Sequence, residues 1–453
     1  MMKSSTSRIR TARSTWWRTG AVLAAGALAL SACSGDAGAG SSGSEDDGGE
    51  TQAAEDDGPV EIRFAWWGSD TRHETTQQVI DLFEEKNPDI TVVPDFTDWG
   101  GYWDKLATTV AGGDTPDVIT QEERYLTDYA ARGVLADLNE IGLDTSAIDE
   151  AVIESGTVAD GLYGVATGVN AYSIVADPKA FEDAGVDMPD DTTWTWQDFV
   201  DVSNEISKAT PDDTFGVQEF GGNEAGFSIF ARQHGQSLYT PDGTLGYDDA
   251  LLAEWYQTTV DLIDGGGEPD AARSVEIAEG GPEQSLIGTN KGAMGFWWSN
   301  QLGAISDAAG RDLELLRVPG ESEFDRTGMY FKPAMYYSVA KDTEHPEAAA
   351  KFVDFLVNDP EAGALILSDR GLPSNTDVRE AIAGDLSPVD QQVADFLKDL
   401  EDEIVDGPAV PPEGAADIPE ISGRINTEVI FDRMSPQEAA EQFTSEANGA
   451  IGQ

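Results

Sequence analysis

The stretch VEIRFAWWGSD, residues 60–70, alternates apolar with polar positions and closes in a turn, which is the pattern of a strand that runs into a loop. A helical spacing of apolar residues follows and ends at Asn87-Pro88, and ITVV at 90–93 predicts a second strand. The next helix, over 102–111, closes in a glycine pair before the strand DVI at 117–119. Strands and helices that alternate at this spacing predict a parallel sheet with helical crossovers, and therefore an α/β fold.

The rest of the chain continues the alternation. Residues 163–166 and 171–175 are strand-like, and Thr195, three residues before Asp198, can cap a helix. Residues 346–357 have one apolar helical face with proline in the first turn. Loops are predicted at the glycines 265–267 and in the Pro/Gly-rich stretch 407–414. No GxGxxG or P-loop follows the first strand, so nucleotide binding has no support.

Composition and charge limit the kinds of partner. The 453 residues suffice for two or three domains. Lys and Arg number 27 against 85 Asp and Glu, a formal net charge of −58, which opposes binding to nucleic acid or to anionic lipid headgroups. A single cysteine excludes an internal disulfide, and the three scattered histidines show no metal-ligand spacing. We therefore predict neither a metal nor any other cofactor.

The first 58 residues have the composition of an export signal followed by a tether. Four arginines precede an apolar run over 20–30 that is too short to span a bilayer, so residues 1–32 are predicted to be a lipoprotein signal peptide. The run ends in LSAC, which resembles the lipobox of bacterial lipoproteins and makes Cys33 the predicted site of lipidation. The alternative is a core cysteine behind an ordinary cleavage site. Residues 33–58 are acidic and rich in Gly and Ser, and we expect a disordered tether that leaves the exported protein on the outer face of the cytoplasmic membrane, attached only through its lipid.

Several short motifs occur in a fixed order within residues 60–450. They are YWDKL at 102–106, AGGDTPDV at 111–118, DGLYGV at 160–165, GAMG at 292–295 and GLP at 371–373. In this order they resemble the extracellular solute-binding proteins of family 1, the sugar-binding lipoproteins of ABC importers that are similar to maltose-binding protein. Val165-Ala166 differs from the family, which usually has a proline at this point of the first crossing between lobes.

The resemblance implies a two-lobed periplasmic-binding-protein fold of type II, in which each lobe has a mixed, mostly parallel sheet flanked by helices. Crossing strands form the hinge, and the chain leaves the first lobe near 168 and returns near 335. The N-terminal lobe would comprise 59–168 plus 336–395, and the C-terminal lobe 169–335 plus 396–453. The implied function is that of a monomer that captures a mono- or oligosaccharide between its lobes and delivers it to ABC permease subunits with their ATPase.

A sugar has apolar C–H faces and a ring of hydroxyls, so its site needs flat aromatic rings beside carboxylates, amides and guanidinium groups. Adjacent residues on a strand point to opposite faces, so at most one ring of Trp66/Trp67 and one of Trp297/Trp298 should contact ligand. Family position favours Trp298, and Trp99 is a further candidate. Three other tryptophans are expected to pack in the core: Trp194, Trp196 and Trp255.

Polar candidates follow strands, because ligands of open α/β sheets lie beyond the carboxyl ends of the strands. Glu122, Glu123 and Arg124 come after the DVI strand, where maltose-binding relatives present an acidic-basic pair to the sugar. The other polar candidates lie after other strands, at the crossings or beside the second tryptophan pair: Asp70, Arg72, Asp98, Asn170, Asn223, Glu224, Asn300 and Tyr336. For each, the alternative is a solvated or structural side chain.

Two other functions stay open. The first is an exported carbohydrate-active enzyme, which needs only two carboxylates around a glycosidic bond. The chain has 85 acidic residues, so their number does not exclude such an enzyme, but no acid lies in a recognisable catalytic motif. The same fold could instead bind a peptide, a polyamine or iron. Iron favours clustered tyrosines and a polyamine favours acids with few rings, so the tryptophan-rich loops favour a sugar. The resemblance, which runs through nearly all of residues 60–450, implies a binding protein and not an enzyme.

Overall fold

The computed structural model describes residues 59–452, except residues 69, 212, 279 and 405 and the side chains of residues 70 and 71. The predicted signal peptide, Cys33 and the tether lie outside the described residues. Within this part of the chain, no helix combines the length and the apolar character that a bilayer crossing requires.

Strands and helices alternate along the described residues. The strands are β1 Val60–Trp67, β2 Ile90–Thr97, β3 Val118–Gln121, β4 Thr157–Val158, β5 Gly161–Leu162, β6 Val165–Ala166, β7 Gly168–Ala176, β8 Phe215–Val217, β9 Ser237–Tyr239, β10 Leu245–Gly246, β11 Gly292–Trp298, β12 Glu314–Leu316, β13 Phe331–Pro333, β14 Tyr336–Val339 and β15 Leu372–Pro373. The α-helices are α1 Asp70–Lys86, α2 Trp99–Gly112, α3 Glu123–Ala131, α4 Glu150–Ser155, α5 Pro178–Ala184, α6 Trp196–Ala209, α7 Glu224–Gln233, α8 Asp249–Gly265, α9 Ala271–Ala278, α10 Leu302–Ala309, α11 Pro346–Asn358, α12 Pro360–Ile366, α13 Thr376–Ile382, α14 Pro388–Glu401, α15 Ile418–Ile430 and α16 Pro436–Ala450.

The first lobe is built on a five-stranded sheet in the order β2-β1-β3-β14-β6. β1 runs parallel to β2 and β3, as the alternation of strands and helices predicts, whereas β14 is antiparallel to β3 and β6. Phe64 of β1 meets Phe352 of α11 with 5.3 Å between ring centroids, and Phe83 of α1 lies 4.9 Å from the same ring. All three rings are fully buried, so removal of apolar surface from water holds these helices on the sheet.

The second lobe is built on strands in the order β12-β7-β11-β8, and β13 and β15 also pair with β7. Only β11 and β8 are parallel among these pairs; β7 is antiparallel to each of its partners. Both sheets are therefore mixed, but the second is mainly antiparallel where the resemblance implies mostly parallel. β7 pairs with four strands that come later in the chain, and each of them runs in the opposite direction to β7.

Two crossings connect the sheets. The chain leaves the first sheet after β6 and enters β7 at Gly168, and it returns between β13 and β14. The Thr167 amide donates to Met335 O at 2.9 Å, so the two crossings run side by side. A Cβ on Gly168 would lie 2.5 Å from Arg370 O, and this close approach of backbones requires glycine. The changes of sheet occur where the resemblance predicts the crossings, near 168 and 335.

Local signals account for several helix ends. Thr195 Oγ1 accepts from the Asp198 amide at 3.1 Å while Asp198 Oδ2 accepts from the Thr195 amide at 2.9 Å, which is the capping box that begins α6. The proposed lobe boundary at 395 falls inside α14. That helix packs against α10 of the second lobe, and its Gln392 Nε2 donates to Leu313 O at 3.0 Å. Its Asp390 accepts from Ser368 Oγ at 2.7 Å and its Glu401 pairs with Arg379 of α13 at 2.8 Å, so α14 contacts both lobes.

Candidate functional site

Three cavities meet at Trp298, the last residue of β11. The hinge-side cavity, of about 220 Å³, lies beside the return crossing and is lined by residues that include Arg72, Glu122, Asn170, Trp298, Asn300, Gln301, Lys332, Asp369 and Arg370. The strap-side cavity, of about 60 Å³, is bounded by the strap (residues 407–414) and is lined by residues that include Glu123, Arg124, Glu224, Tyr239, Trp298, Tyr330, Lys332, Pro408 and Pro411. The second-lobe cavity, of about 450 Å³, is lined by residues that include Gln218, Glu219, Asn223, Glu224, Trp297, Trp298 and Asn426. The first two cavities are thus formed by both lobes.

Trp298 is held at this junction from several directions. Its backbone amide donates to Gln301 Oε1 at 3.1 Å, and its ring centroid lies 5.0 Å from that of Tyr172, its partner residue across β7 and β11. Lys332 Nζ lies over the ring, 5.2 Å from the centroid, within the range of a cation–π interaction. The indole is partly exposed, so an apolar surface remains open to the cavities.

A charged cluster joins the lobes beside this ring. Glu122 directly follows β3 and caps α3, accepting from the Arg124 amide at 2.9 Å and from Arg124 Nε at 3.0 Å. Lys332 of β13 reaches across from the second lobe to Glu123 at 3.1 Å and to Glu122 at 3.7 Å. Burial by itself raises the pKa of Glu122, but Lys332 and Arg124 outweigh burial and hold that pKa below its ordinary value. Burial by itself would lower the pKa of Lys332, but the neighbouring Glu123 and Glu122 outweigh burial and hold that pKa above its ordinary value.

The hinge-side cavity also offers neutral polar groups. Asn170 of β7 is 6% exposed, and its Oδ1 has no hydrogen-bond partner among the described residues. Asn300 and Gln301 follow Trp298 in a single 3-10 turn, so the chain that ends β11 places two amides next to the indole. An unpaired, buried amide oxygen beside exposed amides is suited to accept a hydrogen bond from a hydroxyl group.

The second-lobe cavity combines rings with acids. Asn223 caps α7 by accepting from the Ala225 amide at 2.9 Å, and Glu224 begins that helix. Glu219 accepts from the Gly221 amide at 2.6 Å and from Asn426 Nδ2 at 2.7 Å; burial nevertheless raises its pKa. Trp297 also lines this cavity, with an indole N–H that is buried and unpaired within the described part of the chain.

Ten of the sixteen predicted ligand residues line at least one of these cavities. They are Arg72, Glu122, Glu123, Arg124, Asn170, Asn223, Glu224, Trp297, Trp298 and Asn300. Trp298 borders all three cavities, and Trp297 borders the second-lobe cavity; that Trp298 is the ring that contacts ligand stays a prediction.

The first tryptophan pair corrects the expectation that one of its rings contacts ligand. Trp66 is 1% exposed, donates from Nε1 to His73 Nδ1 at 3.1 Å, and packs against Phe96 with 4.9 Å between ring centroids. Trp67 is 7% exposed and is covered by Trp99, whose ring centroid lies 5.0 Å away. Both rings are therefore core residues of the first lobe, because residues from β2 and α2 cover the two faces of β1.

Tyr336 is a second correction. It is fully buried on β14, and its hydroxyl donates to Ser155 O at 3.0 Å, so it has no surface for a ligand. Asp98 caps α2 by accepting from the Gly101 amide at 3.0 Å, and Trp99 is 41% exposed at the start of that helix, outside the three cavities. Asp70 begins α1, and its side chain lies outside what the structure describes.

Several residues that line the cavities are not among the predicted ligand residues, and Lys332 is the most prominent of them. Lys332 is the only charged residue in the run TGMYFKPAMYYSVA, residues 327–340. A lone lysine in an apolar run must find a carboxylate partner when it is buried, and that signal was available in the sequence. Tyr239, Tyr330 and Glu219 carry no comparable local signal, since a tyrosine or an acid after a strand is common in this chain.

No group of three or more His, Cys, Asp or Glu side chains in the described ranges is arranged to hold a metal ion. The three predicted packing tryptophans, at 194, 196 and 255, are all buried in the second lobe.

Comparisons with known proteins agree with this architecture. The family described as bacterial extracellular solute-binding protein matches residues 68–363. The diacetylchitobiose binding protein DasA of Streptomyces coelicolor is 23% identical over 367 residues, which cover 78% of this chain and 81% of that protein. An uncharacterized lipoprotein in the oleD 5' region of Streptomyces antibioticus is 30% identical over 157 residues, so the match spans only 34% of that protein and 33% of this chain. The solved structure of an extracellular solute-binding protein of family 1 from Alicyclobacillus acidocaldarius has a TM-score of 0.72 and 27% identity, covering 88% of this chain and all of that one.

Proposed function

The chain belongs to the bacterial extracellular solute-binding proteins, and we propose that it is the lipid-anchored substrate-binding component of an ABC importer. In this proposal it captures a carbohydrate between its two lobes and delivers it, chemically unchanged, to the permease. The lobes that close are the predicted ones, and α14 bonds to residues of both.

The observation that carries the proposal is the position of Trp298. One partly exposed indole borders three cavities, and each cavity adds amides or carboxylates to it. Stacking on such a ring supplies affinity for the apolar face of a sugar, and the polar groups pair with its hydroxyls. A micromolar complex needs only about 8 kcal/mol, which one or two rings and a few charge-assisted hydrogen bonds can provide.

The arrangement of cavities favours an oligosaccharide over a single sugar ring. An outer groove of about 760 Å³ lies on the other side of the strap, and Ser237, Tyr239, Pro408, Ala409 and Pro411 line both this groove and the strap-side cavity. The strap is tied to the first lobe by Thr127, whose hydroxyl donates to Pro411 O at 2.8 Å. We propose that further sugar units extend past Tyr239 into this groove. The relative DasA, a diacetylchitobiose binding protein, also points to an oligosaccharide.

A ligand screen on the full exported lipoprotein, purified in detergent, tests the proposal. We expect at least one oligosaccharide to raise Tm, to change tryptophan fluorescence as the lobes close, and to be recovered intact by chromatography. Cleaved product would support the alternative of a carbohydrate-active enzyme. Stabilisation by peptides or polyamines alone would leave the fold but change the solute.

The lipid anchor is tested separately. Cys33→Ala should move the protein from the membrane fraction to the soluble fraction, since Cys33 is the only cysteine and the proposed acceptor of the lipid. Ser34→Ala, which changes the neighbouring residue, serves as the matched control and should stay with the membrane. Persistent membrane association of Cys33→Ala would contradict the anchor without affecting the proposal of sugar binding.

A further inference from the structure

The two cavities formed by both lobes carry no net formal charge. Their charged lining residues are four basic and four acidic side chains: Arg72, Arg124, Lys332 and Arg370, with Glu122, Glu123, Glu224 and Asp369. The balance is unusual for this chain, in which acids outnumber bases by 85 to 27. A site for an acidic ligand would instead need basic groups in excess.

Each basic group in these cavities already has a carboxylate partner. Arg72 Nε lies 2.8 Å from Asp369 Oδ2, and its Nη2 donates to Asp369 O at 2.7 Å. Arg370 shares that carboxylate at 3.8 Å and also donates to the hydroxyls of Tyr337 and Thr76. The donor groups of the two arginines are therefore directed at the protein itself.

The basic groups on the other side of Trp298 also have carboxylate partners. Arg124 is bonded to Glu122, and Lys332 lies between Glu122 and Glu123. Both side chains of this pair are largely buried: 23% of the Lys332 side chain and 9% of the Glu122 side chain are exposed. A ligand carboxylate would have to displace one of these internal acids, which would then lose its partner in a poorly solvated place.

A neutral glycan meets no such obstacle. Its hydroxyls both donate and accept, so they can donate to Glu224, to the second oxygens of the paired carboxylates and to the unpaired Oδ1 of Asn170. A carboxylate has no proton to donate to these groups. The negative charge of the whole chain further opposes the approach of an anion.

We infer that the site selects uncharged glycans and rejects uronic-acid glycans, and that Glu123 sets this preference by neutralising Lys332 beside Trp298. The inference rests on the proposed carbohydrate-binding function and names its substrate class. Glu123 acts as a specificity residue through Lys332: it keeps the ammonium over the indole and withholds it from the ligand.

Titration calorimetry with matched pairs of disaccharides tests the preference in the full lipoprotein. Each pair has a neutral sugar and its uronic-acid form, galactobiose and digalacturonic acid being one pair. We expect the tightest ligand to be neutral and its acidic form to bind at least about tenfold more weakly, since a charged group without a partner costs this much or more. An acidic form that binds as tightly as its neutral partner would overturn the inference. Failure of every sugar would instead reject the proposed function.

The role of Glu123 is tested by Glu123→Gln, which leaves Lys332 with only Glu122, an acid already bonded to Arg124. In the variant, the ratio of neutral to uronic-acid affinity should fall at least about fivefold relative to the native protein, because the ammonium of Lys332 can then pair with the ligand carboxylate. Glu61→Gln, which removes the same charge from an exposed position of β1, should change neither affinity.

A second variant keeps the test decisive if Glu123→Gln folds poorly. Lys332→Met removes the cation between Glu122 and Glu123 and leaves the cavities with a net negative charge, so the affinity for the uronic-acid form should fall further. A melting curve verifies that the variant is folded. Lys332 does not control the choice of ligand if Lys332→Met binds the uronic-acid form more tightly than the native protein does. The same conclusion follows if Glu123→Gln folds but shows no gain in relative affinity for the uronic-acid form.

Discussion

The two adjacent tryptophan pairs of this protein occupy equivalent places and have different surroundings. Trp66 and Trp67 end β1 in the first lobe, and Trp297 and Trp298 end β11 in the second. Both rings of the first pair are buried, whereas both rings of the second pair line a cavity. A strand end at the carboxyl edge of a sheet is thus not enough to expose a ring. The surrounding elements decide, because Phe96 of β2 and the rings of α2 cover the first pair, while the 3-10 turn after β11 leaves the second pair open.

The comparison predicts its largest effect for Trp66→Ala. Loss of a fully buried indole that also bonds to His73 should lower the free energy of unfolding by about 3–5 kcal/mol, measured by urea denaturation. Sugar affinity of the folded fraction should not change. A variant that kept its stability and lost the ligand would place Trp66 in the site after all.

Trp298→Ala should show the opposite pattern. Loss of a stacking ring should weaken binding of the best oligosaccharide at least about tenfold, by titration calorimetry, with only a small change in Tm because the ring is partly exposed. Trp298→Phe, which keeps a flat ring, should retain most of the affinity. If the alanine variant melts much earlier while the folded fraction binds normally, the indole is a packing residue like Trp66.

Buried carboxylates sharpen the contrast between the lobes. Glu122 has cations beside it, which lower its pKa. Glu268 of the second lobe is 2% exposed and has no hydrogen-bond partner among the described residues. Burial therefore raises the pKa of Glu268 well above its ordinary value. The stability that depends on protonated Glu268 is complete below its unfolded pKa and is lost as the pH rises through the raised folded value. Glu268→Gln should therefore raise Tm by about 1–3 °C at pH 8, and the gain should shrink towards pH 5. An equal gain at both pH values would mean that titration of Glu268 is not the cause.

The smallest effect is expected for Trp99→Ala. The ring is 41% exposed and contacts only other aromatic rings of its own lobe, Trp67 and Trp103, among the aromatic contacts of the described residues. Its loss should cost about 1 kcal/mol or less and change sugar affinity by less than about threefold. A tenfold loss of affinity would extend the binding site to the end of β2, as the sequence predicted.

Local patterns account for much of the fold. The alternation in residues 60–67 predicts β1 over the same residues, Asn87-Pro88 marks the end of α1, and Thr195 with Asp198 forms the predicted cap of α6. The polarity of the second sheet was not accessible in this way. A strand's own residues do not state whether its partner runs with it or against it, and the partners of β7 come from more than 100 residues later in the chain.

In the candidate site, too, some residues can be predicted from local sequence and others only from contacts between distant parts of the chain. Residues that follow a strand within two positions, such as Glu122 and Asn300, can be predicted from position alone, since the carboxyl ends of strands converge on one edge. Lys332 and Tyr239 were missed because they reach the site from a crossing strand and a short hairpin. Trp66 is predicted because an aromatic ring suits a sugar, and Tyr336 because it lies near the return crossing, although in the folded protein other side chains already cover both.

The amino-acid sequence by itself determined the α/β alternation and the chemical inventory of rings, amides and acids. Each of these depends on neighbours within a few residues, where backbone geometry and hydrophobic spacing act directly. Only the tertiary structure decided which indole is covered, which acid has a cation beside it and which amide oxygen is left unpaired. Burial and ion pairing are properties of residues brought together from distant parts of the chain, and the electrostatic balance around Lys332 exists only where the two lobes meet.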